Sequence, residues 1–447
     1  MRKTLLVFFL MFLGNITLAQ KASNSPYSSH GIGETEGLEN ATVLGVGNAR
    51  ITMIDSTFLN FNNPASYNSL GKGQPLFSLG VSSRLSIYNE GDNSSFSPVT
   101  SLQHFALGFS FAKHFGLAIG IQPYSRRGYS FTQGAFVDVD SLTYSYDGTG
   151  SINKAFAGFS TDLLKFDSTR LSFGFNAGYL FGNVTNSRKA QLASSNQGGV
   201  GLKTYDIRSL HYDLGLYFKH QFNANHGIGV YATYDPLQNL NGTYTEEIYF
   251  ATDVDNPNSY LDTNYYLTQE GGRLTNAPKL SYGFSYTYKL KDNNEVQRKY
   301  HPEVNVYGSY STTDWSKYEN AYSSDTVALL NTSKLSFGIQ FTPEHDFNLN
   351  TAGTNFLSKV RYRAGFYQYT LPYSTGGEQV KDFGTTFGFG IPITVQKSLS
   401  SINFGFSVGK RGVSDQQQLN ENYYGINLGV TIAPGNADRW FRKRTLN

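Results

Sequence analysis

Residues 401–410 read SINFGFSVGK and residues 421–432 read ENYYGINLGVTI. In the first, Ile402, Phe404, Phe406 and Val408 alternate with Asn403, Gly405 and Ser407. In the second, Tyr424, Ile426, Leu428, Val430 and Ile432 alternate with Gly425, Asn427, Gly429 and Thr431. A period of two puts the apolar side chains on one face of a strand and small or polar ones on the other. The pattern recurs upstream at Leu335/Phe337/Ile339/Phe341, Leu214/Leu216/Phe218, Leu171/Phe173/Phe175 and Phe105/Leu107/Phe109/Phe111. Fourteen such segments are expected, over 74–88, 100–113, 115–128, 151–164, 168–183, 204–222, 226–238, 277–290, 302–315, 333–343, 357–370, 380–393, 399–410 and 420–433. Each supplies the roughly 9–11 tilted residues that cross a bilayer.

The connections alternate too. Odd-to-even links include the long ones, near 89–99, 129–150, 184–203, 239–276, 316–332, 371–379 and 411–419. Even-to-odd links are mostly short, such as 113–114, 165–167 and 223–225, although 291–301 and 344–356 are longer. Short turns on one side and long loops on the other belong to an outer-membrane barrel. In a soluble sandwich, by contrast, the apolar faces bury against a second sheet. An open edge in lipid would leave unpaired N–H and C=O groups, so the expected fold is all-β, a closed transmembrane antiparallel barrel over 73–433. An even strand count puts both termini in the periplasm, on the short-turn side.

Composition agrees. The 447 residues include 34 Phe, 32 Tyr and 46 Gly, with only 15% charged, which suits strands more than helices. Tyrosines such as Tyr286, Tyr288, Tyr367, Tyr369, Tyr423 and Tyr424 are expected among girdle residues at headgroup depth. A mean hydropathy of −0.36 excludes a bundle of membrane helices, yet suits a barrel whose lumen and loops are polar. The net charge of +3 gives no reason to expect a nucleic-acid partner. The absence of Cys excludes disulfides, thiolate metal sites, thiol catalysis and an N-terminal lipidated Cys.

Residues 1–19 read as a signal peptide. Arg2 and Lys3 precede an apolar run from Leu5 to Leu13, and Thr17-Leu18-Ala19 offers a small-residue cleavage site before Gln20. The run is too short for a membrane-spanning helix, which takes about 20 residues. The expected destination is the outer membrane, in contact with lipid and lipopolysaccharide. A basic tail follows the last strand at 434–447, with Arg439, Arg442, Lys443 and Arg444.

Residues 20–72 do not alternate. They carry turn and cap chemistry: Gly47-Asn48-Ala49, Asp55-Ser56-Thr57 and Asn62-Asn63-Pro64-Ala65. Such a segment either folds into the lumen or sits below the barrel. Here the chain resembles the FadL family of outer-membrane transporters for hydrophobic compounds, as a Bacteroidetes-type member. Gly47 and Ala49, then Asp55, then Asn63, Pro64 and Ala65 are similar, in that order, to motifs ahead of that family's first strand. Trp315-Ser316-Lys317-Tyr318 looks like its Trp-Ser-x-aromatic strand motif, and Leu335–Phe341 and Arg363–Tyr369 look like later family strands. The resemblance implies a fourteen-strand barrel with an N-terminal hatch in its lumen, and transport of long-chain fatty acids or aromatic hydrocarbons.

That family also opens its wall at a kink in the third strand. The third segment here contains Pro123, which cannot donate to a ladder. It marks either a lateral opening or simply the strand's outer end. His104 shares inward parity with Ala106 and Gly108, and Arg126 is inward on the third segment. Both are expected to pair with hatch residues such as Asp55 rather than with substrate. No HExxH is present, no Ser sits in a G-x-S-x-G elbow at a strand–helix turn, and Asp253-Val254-Asp255-Asn256-Pro257 lacks the Gly and final Glu of a calcium loop, so neither an enzyme, a cofactor nor a metal is expected. Two further readings stay open: a general porin, and a FadL-like subunit of a secretion or gliding complex with an outer-membrane protein partner, as PorV is in type IX secretion.

Overall fold

The computed structural model describes residues 23, 25–35, 40–112, 114–137, 140–192, 194–290, 302–321, 329–343, 356–393, 400–415 and 417–433. The expected signal peptide, its cleavage site and the basic tail lie outside these. Among the described residues eighteen strands form one sheet. They are β1 (Leu76–Glu90), β2 (Asn93–Ser110), β3 (Phe115–Arg126), β4 (Tyr129–Val137), β5 (Asp140–Lys165), β6 (Thr169–Leu192), β7 (Gly198–Gln221), β8 (His226–Asp235) and β9 (Gln238–Ala251). They continue as β10 (Tyr260–Asn276), β11 (Lys279–Lys289), β12 (Glu303–Thr313), β13 (Glu319–Asn320), β14 (Thr332–Thr342), β15 (Arg361–Thr375), β16 (Glu378–Ile393), β17 (Ser400–Gly412) and β18 (Asn420–Ile432).

Fourteen of them form a closed antiparallel barrel, and the other four, β4, β9, β10 and β13, extend it at one rim. Closure comes from β1, which pairs with β2 on one side and with β18 from Phe77↔Ile432 to Asn89↔Asn420 on the other. Among the described residues no helix is long and apolar enough to cross a membrane. The alternation read from sequence appears as alternating burial. On β14, Leu335, Phe337, Ile339 and Phe341 are exposed while Ser336 and Gln340 are buried. A barrel in water would not leave so many phenylalanines outside; in a bilayer that face meets hydrocarbon.

Three regions expected to be long loops are instead strands. Residues 129–150 hold β4 and the start of β5, 184–203 hold the end of β6 and the start of β7, and 239–276 hold the β9–β10 hairpin. Their Tyr, Thr and Val content supports pairing, and cross-strand contacts such as Tyr205–Tyr244, with centroids 5.0 Å apart, continue the sheet beyond the apolar belt. Trp315, Ser316 and Tyr318 are not on a strand either. Trp315–Lys317 is a 3-10 turn just past β12, held by Ser316 Oγ donating to Asp314 Oδ1 at 2.6 Å. The short Asp/Ser pair favours this local turn over a ladder.

The N-terminal segment runs along the inner face. Its partners are buried, inward-parity residues such as Ser160, Ser172 and Asn176, whereas the opposite parity is exposed. It begins at the long-loop rim, where Tyr27 OH donates to Leu419 O at 2.9 Å. It ends at the short-turn rim, where Lys72 bridges Ser110. The barrel itself starts and finishes at the short-turn rim. The described chain ahead of it comes from the long-loop rim, so the expectation of both termini on the periplasmic side does not hold for the described N-terminal residues.

Candidate functional site

The segment is seated first by shape. Ala41–Leu44 forms one helical turn, capped by Asn40 Oδ1 accepting from Thr42 N at 2.9 Å. The following residues, Gly45 to Gly47, press their backbone onto Gly338 and Gly365 of β14 and β15 and onto Gly388 of β16. Gly47 has φ +67°, donates its N–H to Thr386 Oγ1 at 3.0 Å, and has no room for a Cβ beside Phe337 O. Only glycine adopts that conformation freely and permits that approach. Ala49 is fully buried in a cluster with Val43, Val46, Met53, Phe58 and Tyr307.

Asn63 then caps the 3-10 turn Pro64–Ser69. Its Oδ1 accepts from Ala65 N at 3.1 Å and its Nδ2 donates to Ile51 O at 3.2 Å. This turn packs Pro64 and Ala65 against Gly174 and Gly215 of the opposite wall. Tyr67 OH donates to Asn176 Oδ1 at 2.7 Å, and Asn68 Nδ2 donates to Asp162 Oδ1 at 2.7 Å.

The expected partners of Asp55 differ from those found. Asp55 lies 3.5 Å from Arg361 and accepts from Thr57 N at 3.0 Å, away from both His104 and Arg126. His104 Nε2 instead sits 3.3 Å from Asn40 Nδ2 and 2.8 Å from Ser78 Oγ.

Arg126 belongs to a discontinuity in the wall. The β2–β3 ladder runs from Ser110↔Gly116 to Phe105↔Ile121 and stops there. On either side pairing goes on: β2 stays with β1 up to Asn93, and β3 stays with β5 up to Arg126↔Ser151, with a register shift at Pro123/Ser125. Pro123 has no N–H to offer. Beyond it, β3 bonds the N-terminal segment rather than β2. Glu34 N donates to Arg126 O at 2.8 Å, Arg126 N to Glu34 O at 3.0 Å, and Ser125 Oγ to Ile32 O at 2.8 Å. Gly33, at φ +94°, lets the two backbones meet where a Cβ would strike Arg126 O. The Arg126 guanidinium then reaches back to β2, donating to Ser101 Oγ at 2.7 Å and Leu102 O at 2.6 Å. It satisfies a carbonyl that the missing ladder would leave without a backbone donor.

Glu34 also anchors the segment electrostatically. Its carboxylate lies 2.8 Å from Arg411, which lies 2.9 Å from Asp382; Arg84 lies 2.9 Å from Glu421, and Tyr423 OH donates to Asp382 Oδ1 at 2.5 Å. Sequence reasoning missed Glu34 and Arg411. The available signal was an arginine at the inward parity of β17, in series with Asn403, Gly405 and Ser407.

Behind the discontinuity, inside the lumen, is a cavity of about 180 Å³ touching Gln122, Pro123 and Tyr124. Its other walls mix polar and apolar side chains, among them Ile51, Phe61 and Leu214, with Lys154 3.1 Å from Asp213 and His211 3.2 Å from Asp235. Trp315 lines it as well, while Tyr318 packs nearby against Ile32 and Tyr205. Among the described residues no group of His, Cys, Asp and Glu is arranged to hold a metal; Asp255 is engaged by Lys189 at 2.7 Å.

A family model described as BamG matches residues 1–447. No curated protein matches the chain. Among solved structures, a Pseudomonas aeruginosa FadL homologue superposes with a TM-score of 0.52 at 11% identity, covering 88% of this chain and 97% of its own. The Ralstonia pickettii toluene transporter TbuX gives 0.48 at 13% identity, over 89% and 99%. The Pseudomonas putida toluene transporter TodX gives 0.46 at 13%, over 88% and 97%. At such identities the likeness is one of fold.

Proposed function

The chain belongs to the BamG family and shares the fold of a FadL homologue, and from that premise we propose that it carries hydrophobic small molecules inward through the outer membrane. Long-chain fatty acids and aromatic hydrocarbons are the substrate classes it would take. The observation that carries the reading is the interrupted β2–β3 ladder above Phe105↔Ile121.

A water-filled channel gives an apolar solute no gain, whereas each CH₂ moved out of water gains about 0.8 kcal/mol. A solute admitted at the long-loop rim therefore does best by leaving sideways into hydrocarbon. In this reading residues 20–72 act as the hatch. Their bonds to β3 hold its outer half away from β2, Pro123 makes the parting inexpensive, and Arg126 keeps the exposed edge satisfied. A closed seam would return the solute to a polar lumen. The test is uptake of a radiolabelled aromatic hydrocarbon or fatty acid by cells carrying wild type or Pro123→Val. Loss of uptake with a normally folded barrel supports the lateral route; unchanged uptake refutes it.

The lumen itself favours a second reading, a barrel that serves as a subunit of an outer-membrane assembly. Its 180 Å³ cavity is small and holds the Lys154–Asp213 ion pair in its wall, which a hydrocarbon would have to desolvate. Extraction in mild detergent separates the two. A stoichiometric protein partner with no uptake defect on deletion indicates the subunit; a monomer with an uptake defect indicates the transporter. For either, N-terminal sequencing of the mature protein is expected to begin at Gln20.

A further inference from the structure

A larger hollow than the lumen cavity lies on the outside of the wall. It has a volume of about 600 Å³ and is lined almost wholly by apolar side chains of β1, β2, β3, β5, β6 and β7. Its origin is visible in the strand register. Phe105 pairs with Ile121, Ile121 with Ala155, Ala155 with Tyr179 and Tyr179 with Leu210, so five outward side chains form one lateral row. The middle one is only a methyl. One step toward the short-turn rim, Ile119 pairs with Ala157 and Ala157 with Ala177, two methyls in succession. The row is therefore high at Phe105 and Ile121, low at the alanines, and high again at Tyr179 and Leu210. Phe105, Tyr179 and Leu210 are 51%, 45% and 76% exposed, so none of the described residues covers the hollow.

We propose that this trough is a binding site for one acyl chain of a membrane glycerophospholipid. The occupant follows from continuity: the trough is set into the same apolar belt that faces hydrocarbon on both of its sides, and what covers the belt covers the trough. Dispersion supplies the preference, because a notch left unfilled forfeits contacts on one side of every lining atom. A flexible chain fits such a notch and a flat, rigid surface does not. The site also has a functional position. Two of its wall residues, Phe105 and Ile121, are the last ladder pair below the seam, so a chain held there lies at the foot of the opening. This rests on the barrel reading and deepens the transport reading by giving the lateral exit a lipid-occupied threshold.

The test uses full-length protein in nanodiscs containing a phosphatidylcholine with a diazirine on one acyl chain. After irradiation, cross-linked peptides are mapped by mass spectrometry. Expected is a several-fold excess on peptides holding Phe105, Ile121 and Tyr179 over peptides of like exposure on the far wall, holding Phe383 and Phe387. The excess is lost in Ala155→Phe/Ala177→Phe, which fills the trough; Ala155→Leu is the milder substitute if that variant folds poorly. Cross-links spread evenly round the barrel, or an excess unchanged by filling, overturn the proposal. Uptake is scored separately with Pro123→Val, so an occupied trough with unaltered uptake would defeat the lateral route alone.

Discussion

The N-terminal segment meets the wall in two ways, and the wall answers differently. Against β14–β16 it packs by shape: glycines at 338, 365 and 388 make room for the backbone at Gly45–Gly47, and the strands stay paired around them, Gly338 with Gly365, Gly365 with Thr386 and Arg363 with Gly388. Against the outer half of β3 it packs by hydrogen bonds, and β3 gives up β2 to make them. A strand has one N–H and one C=O per residue. It can offer a passenger space without cost to the sheet, but it cannot offer backbone bonds without withdrawing them from a neighbour. The first contact leaves the barrel closed and the second parts it.

The largest test of this contrast removes the anchor on the parted side. Arg411→Met leaves buried Asp382 and half-buried Glu34 without their cation, and breaking a buried pair such as Arg411–Asp382 costs about 3–5 kcal/mol. Residues 25–35 should become protease-sensitive while the Gly45–Gly47 seat stays protected; simultaneous release of both would show that the two contacts are not independent. Next comes the shape contact. Gly47→Ala forces a Cβ against Phe337 O, an overpacking of about 1–3 kcal/mol, and should loosen the helical turn in limited proteolysis while leaving the β2–β3 seam unaltered.

Arg126→Met sharpens the contrast from the sheet's side. It strips Leu102 O of its donor at a cost of about 1–3 kcal/mol, and hydrogen exchange should rise on β2 near Ser101–Gln103 and not on β14 or β15. The smallest effect belongs to a single bond: Tyr67→Phe removes the donor to Asn176 and should lower the unfolding midpoint by the equivalent of about 0.5–1.5 kcal/mol.

Much of the wall was legible because lipid imposes a strict demand. Ile402, Phe404 and Phe406 must all face the same way, so the alternation reveals both face and strand number. The rim extensions were less legible: β9 and β10 lie beyond the hydrocarbon, where nothing enforces alternation, and they read as loops. Pro123 announced a break because its missing N–H is a local property. What replaces the lost ladder is not local. Glu34 meets Arg411 across nearly the whole chain, and an inward arginine shows that a partner is needed without showing which carboxylate supplies it. Asp55 looked suitable for that reason, yet meets Arg361. The Trp315 turn was misread as strand because its Asp314–Ser316 bond, a two-residue effect, outweighs the β propensity around it.

The opening itself can be tested directly, since the chain has no native cysteine. Gln122 and Ser336 line the same lumen cavity, one at the seam and one on the closed wall. Each is replaced in turn, Gln122→Cys and Ser336→Cys, and the protein is reconstituted with a maleimide tethered to a lipid, which reaches only what hydrocarbon reaches. The account predicts that the cysteine at 122 is modified and the one at 336 is not. Equal reaction at both, or at neither, would contradict it.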